Sequence, residues 1–255
     1  MTAKDGLIYG LHAVRGALRN PDGLIELLVD GARRDQRFRE FLALAEEAGV
    51  RLRQVSTDEL DRLADGGRHQ GAVARLSARQ TQDEPYLKAL LKRLEVPPFL
   101  LVLDEVQDPH NLGACLRSAE GAGVHAVITP RDRSVGLTPT VRKVASGAAE
   151  TLPFIQVTNL ARTLKWLKGE GVWLIGTAGE ADDLLYRCDM KGPLAIVMGG
   201  EGKGLRRLTR EQCDLLVRLP MAGTVESLNV SVATGVTLYE AVRQRAGLGL
   251  SLDTK

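Results

Sequence analysis

The rhythm of apolar and polar positions changes near residue 98. Before it, short helical and extended patterns alternate. GLHAVRGALRN has helical spacing and a stop at Asn20-Pro21. LIELLVD follows as a short buried strand. DQRFREFLALAEEAG places Phe38, Phe41, Leu42 and Ala45 on one helical face, with Gly49 closing it. VRLRQV alternates as a strand does. Ser56 and Glu59 form a capping box ahead of the helix DELDRLA, and GAVARL reads as a further strand. These features predict a small α/β domain over residues 1–78 and a linker over 79–97, where YLKALLKRLE is a short amphipathic helix ended by Pro97-Pro98.

Beyond residue 98 the strands lose their alternation. FLLVLDEV, VHAVITP, VWLIGTA, LAIVMGG and DLLVRLP are continuously apolar, as strands covered on both faces are. Helical stretches lie between and after them: Asn111 to Ala122, Thr140 to Ala149, Asn159 to Lys168 and Ser227 to Arg245. The fold class expected for residues 98–255 is α/β with a parallel sheet, whose ligands bind beyond the carboxyl ends of the strands.

Composition narrows the function classes. The 255 residues are 44% hydrophobic and 26% charged, an ordinary balance for a globular chain. No apolar run approaches the roughly 18 residues of a membrane helix. The opening MTAKDGLIYG has no apolar signal core, so a cytoplasmic location is expected. Three scattered cysteines and four scattered histidines suggest neither a redox pair nor a metal site. Net charge is only +2, but 25 of the 34 basic residues are arginine; a GC-rich genome is the plainer reason for that bias, and an RNA partner, whose phosphates suit arginine forks, is the other. The cluster RRDQRFR (Arg33, Arg34, Arg37, Arg39) is either a solvated helix face or a phosphate-binding patch.

Three strand ends have unusual loops. In LDEVQDPHNLGACLRSAEGAG, Asn111, Arg117 and Glu120 are the polar members of a small, apolar helix; Arg117 and Glu120 are spaced to form a surface pair. LAIVMGGEGKGLRRLT carries Gly199, Gly200, Gly202 and Gly204. The dinucleotide spacing GxGxxG fails at Leu205, and the phosphate-loop pattern GxxxxGK[ST] fails at Gly204. Glu201 would repel a pyrophosphate at that point. LVRLPMAGTVESLNVSVATG leads through a loop to a helix of small residues, with Ser227 as a candidate N-cap.

Together these segments resemble the SpoU/TrmH family of S-adenosylmethionine-dependent RNA ribose 2′-O-methyltransferases. The family's N-x-x-x-x-x-R, G-x-E-x-x-G and P-M-x-G-x-x-x-S-L-N-V-S-x-A motifs match residues 111–117, 199–204 and 220–233 in that order. YGLHAVRGAL, HQGAVA and VRQR resemble the subgroup that methylates a guanosine of 23S rRNA. The resemblance implies a deep trefoil knot in the C-terminal domain, a homodimer, and a substrate-binding N-terminal domain over residues 1–78. It implies cofactor contacts at Gly199, Leu219, Met221 and Leu228. It gives Asn111, Arg117, Glu201, Ser227 and Asn229 to catalysis, and no metal. Arg117 is the family's proton acceptor, although a guanidinium with a pKa above about 12 suits phosphate holding and hydroxyl polarisation better. Gly200 stands where many relatives carry Ala, and glycine there is expected to be harmless. The partner implied is 23S rRNA or its large-subunit precursor, with the target in the peptidyl-transferase P-loop. Another RNA nucleotide, a non-catalytic RNA-binding factor and a nucleotide-dependent oxidoreductase are the competing readings.

Overall fold

The computed structural model describes residues 6–18, 21, 24–76, 81–202 and 204–246. The expected helix stop at Asn20 and the boundary at residue 78 lie outside the described residues. The chain divides into two compact units, Met1–Gln80 with Leu137–Thr151, and Thr81–Gly136 with Leu152–Lys255.

In the first unit the strands are β1 (Gly6–Tyr9), β2 (Leu24–Asp30), β3 (Leu52–Val55) and β4 (Ala72–Leu76). They form one sheet in the order β1-β4-β2-β3, antiparallel except for β2 beside β3. Helices α1 (Leu11–Leu18), α2 (Gln36–Glu47) and α3 (Thr57–Ala64) cover it. The period-2 alternation of β2 sorts its side chains. Leu27 and Val29 join Val14, Phe38 and Phe41 on one face, while Leu28 meets Leu60 and Val73 on the other. Gly49 closes α2 at φ 67, as its position required. Ser56 caps α3 through the Glu59 N–H, but the Glu59 carboxylate turns to Arg53, so the box is half made.

The stretch Thr140 to Ala149, expected as one helix, is two. Helix α6 (Pro139–Ala145) ends at Ser146, and α7 (Ala148–Thr151) follows Gly147. Both intervening residues have positive φ, 53 and 98, which no helix accommodates. A Cβ on Gly147 would lie 3.2 Å from the Ala13 carbonyl, so glycine permits the close approach of α1.

The second unit holds β5 (Phe99–Asp104), β6 (Ala126–Pro130), β7 (Phe154–Val157), β8 (Trp173–Thr177), β9 (Asp183–Leu184), β10 (Leu194–Gly199) and β11 (Leu215–Arg218). All pairings are parallel, in the order β7-β6-β5-β10-β8-β11-β9. Every residue of β5 and β6 is buried, which explains their unbroken apolar sequences. Helices α4 (Glu84–Arg93), α5 (Pro109–Gly121), α8 (Leu160–Gly169), α9 (Arg207–Arg210) and α10 (Val230–Arg245) surround the sheet or close its loops. Leu87 of α4 lies in the same core as Leu100, Ile155 and Leu164, and Gln82 bridges to Ile155 of β7. Residues 81–97 are thus packed chain rather than a free spacer. Parallel pairing brings the carboxyl ends of β5, β10, β8 and β11 to one edge.

His125 stands just before β6 and accepts the Phe99 N–H on Nδ1 at 2.9 Å. Burial, then the nearby Arg245 charge, holds its pKa below the ordinary 6.5. A lowered histidine pKa means that the unfolded chain binds the proton first, so this contribution to stability is complete above about 6.5 and lost as pH falls below it. The stability difference between wild type and His125→Gln should therefore be constant above pH 7 and shrink steadily from pH 6.5 to 5, as read by urea unfolding.

Candidate active site

Three loops meet at the carboxyl edge of the seven-stranded sheet. The first leads from β5 into α5, where Asp108 caps the helix by accepting the His110 N–H at 2.7 Å and Pro109 occupies the first turn. Asn111 follows inside the first turn and is only 9% exposed. Its Nδ2 donates to Glu201 Oε1 at 2.7 Å, across from the glycine-rich loop after β10. Its Oδ1 accepts from Asn229 Nδ2 at 3.0 Å, at the start of α10. Asn229 Oδ1 in turn accepts from the Ser231 N–H at 2.9 Å and the Ser231 hydroxyl at 2.7 Å.

The direction of this chain follows from donor chemistry. A carboxylate can only accept, so the Asn111 nitrogen faces Glu201. The Asn111 oxygen is left for Asn229, whose nitrogen must meet it. The Asn229 oxygen then turns to the unpaired N–H groups of the α10 N-terminus. One order of donors satisfies all four residues. Asn229, not the expected Ser227, is therefore the N-cap of α10. Ser227 is exposed two residues upstream and takes no side-chain partner among the described residues.

The backbones at this edge are close enough to demand glycine. A Cβ on Gly199 would fall 2.2 Å from the Gly204 carbonyl carbon and 2.4 Å from the Leu205 nitrogen. One on Gly200 would fall 2.4 Å from the Glu105 carbonyl oxygen. A backbone oxygen cannot swing aside as a side chain does, so glycine at 200 lets the end of β5 approach this closely.

Arg117 lies exposed on α5, and neither the expected pair with Glu120 nor any other side-chain partner is formed among the described residues. Beneath it, burial raises the Cys115 thiol to about 11, with the Glu201 charge adding to the shift; Cys115 contacts Thr234 of α10 at 3.5 Å. Leu219 and Met221 are partly exposed, and Leu228 is 37% exposed. Among the described residues, no backbone group of Leu219–Leu228 is spent on another backbone group. An apolar-lined stretch with open N–H and C=O groups fits the heterocycle and amino-acid ends of an S-adenosylmethionine-sized ligand. Among the described residues, no group of three or more His, Cys, Asp and Glu is arranged to hold a metal ion.

In the first unit the arginine cluster separates by role. Arg33 pairs with Asp35, donates to the Gln70 carbonyl and lies 4.9 Å over the Phe38 ring. Arg34 donates to the Arg33 carbonyl at 2.9 Å and remains exposed. Arg37 and Arg39 are exposed without side-chain partners among the described residues.

Sequence reasoning missed Asp104, Glu105, Arg133 and Arg206. Asp104 ends a fully buried strand, yet its carboxylate accepts the Arg206 Nε at 2.7 Å. A charge closing the run FLLVL was the available signal.

The chain is similar to known proteins over both units. The model of the SpoU rRNA Methylase family matches residues 98–239, and that for RNA 2′-O ribose methyltransferase substrate binding matches residues 7–82. A 23S rRNA (guanosine-2′-O-)-methyltransferase RlmB of Ralstonia nicotianae is 58% identical over 96% of this chain and 98% of its own. Its counterpart in Pectobacterium atrosepticum is 56% identical over 94% and 99%. Among solved structures, the SpoU methyltransferase AviRb from Streptomyces viridochromogenes, in complex with the cofactor AdoMet, superposes with a TM-score of 0.75 at 26% identity, covering 95% of this chain and 91% of that one. An RNA 2′-O ribose methyltransferase superposes at 0.74 with 30% identity, covering 94% and 88%.

Gly200→Ala should lower stability by about 1–3 kcal/mol, because the end of β5 must move to admit the methyl group. Gly202→Ala is the comparison for added bulk alone, since a Cβ there meets nothing within 4 Å, although its φ of 78 adds backbone strain. Thermal unfolding should place Gly200→Ala below Gly202→Ala.

Proposed function

The chain belongs to the SpoU rRNA methylase family, and from that membership we propose that it transfers a methyl group from S-adenosylmethionine to the 2′-hydroxyl of a guanosine ribose in 23S rRNA. The observation that carries the reading is the convergence of Asn111, Glu201 and Asn229, one from each motif, in a single hydrogen-bonded chain. We place the guanosine in the peptidyl-transferase P-loop on the strength of the subgroup motifs, with free rRNA or a large-subunit precursor as the partner.

Gly199, Leu219, Met221 and Leu228 would hold the cofactor, largely through backbone groups. When bound, S-adenosylmethionine supplies an electrophilic methyl on a sulfonium sulfur. Arg117 presents an unpaired guanidinium to the RNA, holding a phosphate and polarising the hydroxyl, whose proton passes to solvent as the oxygen takes the methyl group and the sulfonium becomes a neutral thioether. Asn111 and Asn229 fix the geometry of the loops around it. Glu201 has accepted one hydrogen bond and keeps a second oxygen for the arginine or the ribose, with Ser227 beside the sugar. Such positioning contributes several kcal/mol to lowering a barrier.

The deep trefoil knot is part of this proposal. Strand β10 lies between β5 and β8, β11 lies beyond β8, and the chain then returns so that α10 packs on α5 and β10. A return of this kind supports a threaded loop. A homodimer is proposed from the outer face of α10, where Val232 and Tyr239 are 51% and 53% exposed seven residues apart. In the N-terminal substrate-binding domain, Arg34, Arg37 and Arg39 would contact RNA phosphates, with Arg33 holding the loop beneath them. A cytoplasmic location accords with an rRNA substrate; among the described residues no helix is long and apolar enough to cross a membrane.

The purified chain, incubated with labelled S-adenosylmethionine and unmodified 23S rRNA, should yield 2′-O-methylguanosine at one nucleotide, mapped by alkaline hydrolysis. Arg117→Ala should reduce the rate at least about a hundredfold while cofactor affinity changes less than about threefold. A product that is not 2′-O-methylated, or an unchanged rate in Arg117→Ala, would contradict the reading.

A further inference from the structure

Four charged side chains outside the motif residues also meet at this edge. The buried Asp104 carboxylate accepts the Arg206 backbone N–H on Oδ2 at 3.0 Å, and the Arg206 Nε and Nη2 on Oδ1 at 2.7 and 2.6 Å. Arg206 Nη1 also lies 3.5 Å from Glu105 Oε1, which Arg133 approaches at 3.3 Å. Asp104 is 0% exposed, and a carboxylate so placed is tolerated only with close partners. Glu105 and Arg133 both hold left-handed backbones, at φ 65 and 62. Strain of this kind in residues other than glycine collects at functional sites.

The position of Arg206 gives this clasp its consequence. Gly204 and Leu205 precede it, and their backbone is what fills the space beside Gly199. The Glu105 carbonyl likewise fills the space beside Gly200. The Asp104–Arg206 contact therefore sets how the end of the glycine-rich loop lies against the end of β10, where the cofactor contacts are proposed. We propose that Arg206, anchored on Asp104, is a positioning residue for the cofactor, and that the Glu105–Arg133 pair ties the loop after β6 into the same clasp. The inference rests on the cofactor reading above. Lysine would restore the charge but not the fork.

The test compares Arg206→Met, Arg206→Lys and the double variant Asp104→Asn with Arg206→Met in the full chain. Three quantities are measured: melting temperature, hydrogen exchange at Leu205 and Arg206 without cofactor, and S-adenosylmethionine affinity by calorimetry. Arg206→Met leaves a buried charge unpaired and should melt lower; the double variant should recover most of that loss. Both should still exchange faster at these amides and bind the cofactor more weakly, each by about tenfold or more. Arg206→Lys, which keeps a charge beside Asp104, should weaken binding by roughly three- to tenfold and carries the test if a neutral variant fails to fold. A wild-type chain that takes up no cofactor overturns the cofactor reading and this inference with it. A wild type that binds, with variants of unchanged affinity, overturns the inference alone, whether or not the loop exchanges faster.

Discussion

The amide of Asn111 joins parts of the chain that are 90 and 118 residues away from it. It is nearly buried, it has one donor pair and one oxygen, and both ends are engaged. A buried amide left half-satisfied costs about 1–3 kcal/mol, so Glu201 and Asn229 must come to it for the fold to close well. Their arrival fixes the glycine-rich loop and the start of α10 against α5. The rest of the site follows from that closure: the open backbone of Leu219–Leu228, the exposed Arg117 and the close glycine contacts all lie along the same edge.

Much of this was legible in the residues. Unbroken apolar strands in β5, β6 and β10 announced a sheet covered on both sides, because each side chain had an apolar surface to meet. The three motifs marked the loops that hold the site. What the sequence hid was mostly a matter of distance. Nothing in DLLVRLP says that β11 is mostly half-buried and lies beyond β8 rather than in the centre. Ser227 is as good a helix cap as Asn229 by local chemistry; the choice depends on Asn111, which is far away in number. The close approach at Gly200 was not legible locally, because the oxygen it meets belongs to Glu105. The break in the helix at Ser146-Gly147 was legible in principle, since glycine there carried a local signal that helical spacing outweighed.

The site separates two kinds of residue by their surroundings. Asn111 and Asp104 are buried, each with close partners on two sides, and they set shape. Arg117 and Ser227 are exposed and without side-chain partners among the described residues; in the first unit, taken by itself, Arg34, Arg37 and Arg39 are exposed as well. A side chain that must meet a substrate gains nothing from a partner within its own chain. In the proposed reaction the Arg117 guanidinium is therefore free to meet RNA, while within the same unit Asn111 and Asp104 are buried. The same division explains why one arginine of the first-unit cluster, Arg33, is bound to Asp35 and Gln70 while its neighbours are not.

The central claim is that Asn111 couples the three segments energetically, and a double-mutant cycle measures that coupling. Asn111→Ala and Asn229→Ser, the second keeping a capping oxygen, are made singly and together and unfolded in urea. A coupling energy of about 1 kcal/mol is expected, as for groups in one buried hydrogen-bond network. Additivity to within about 0.3 kcal/mol would mean that the segments fold beside one another without depending on this amide, and would contradict the account.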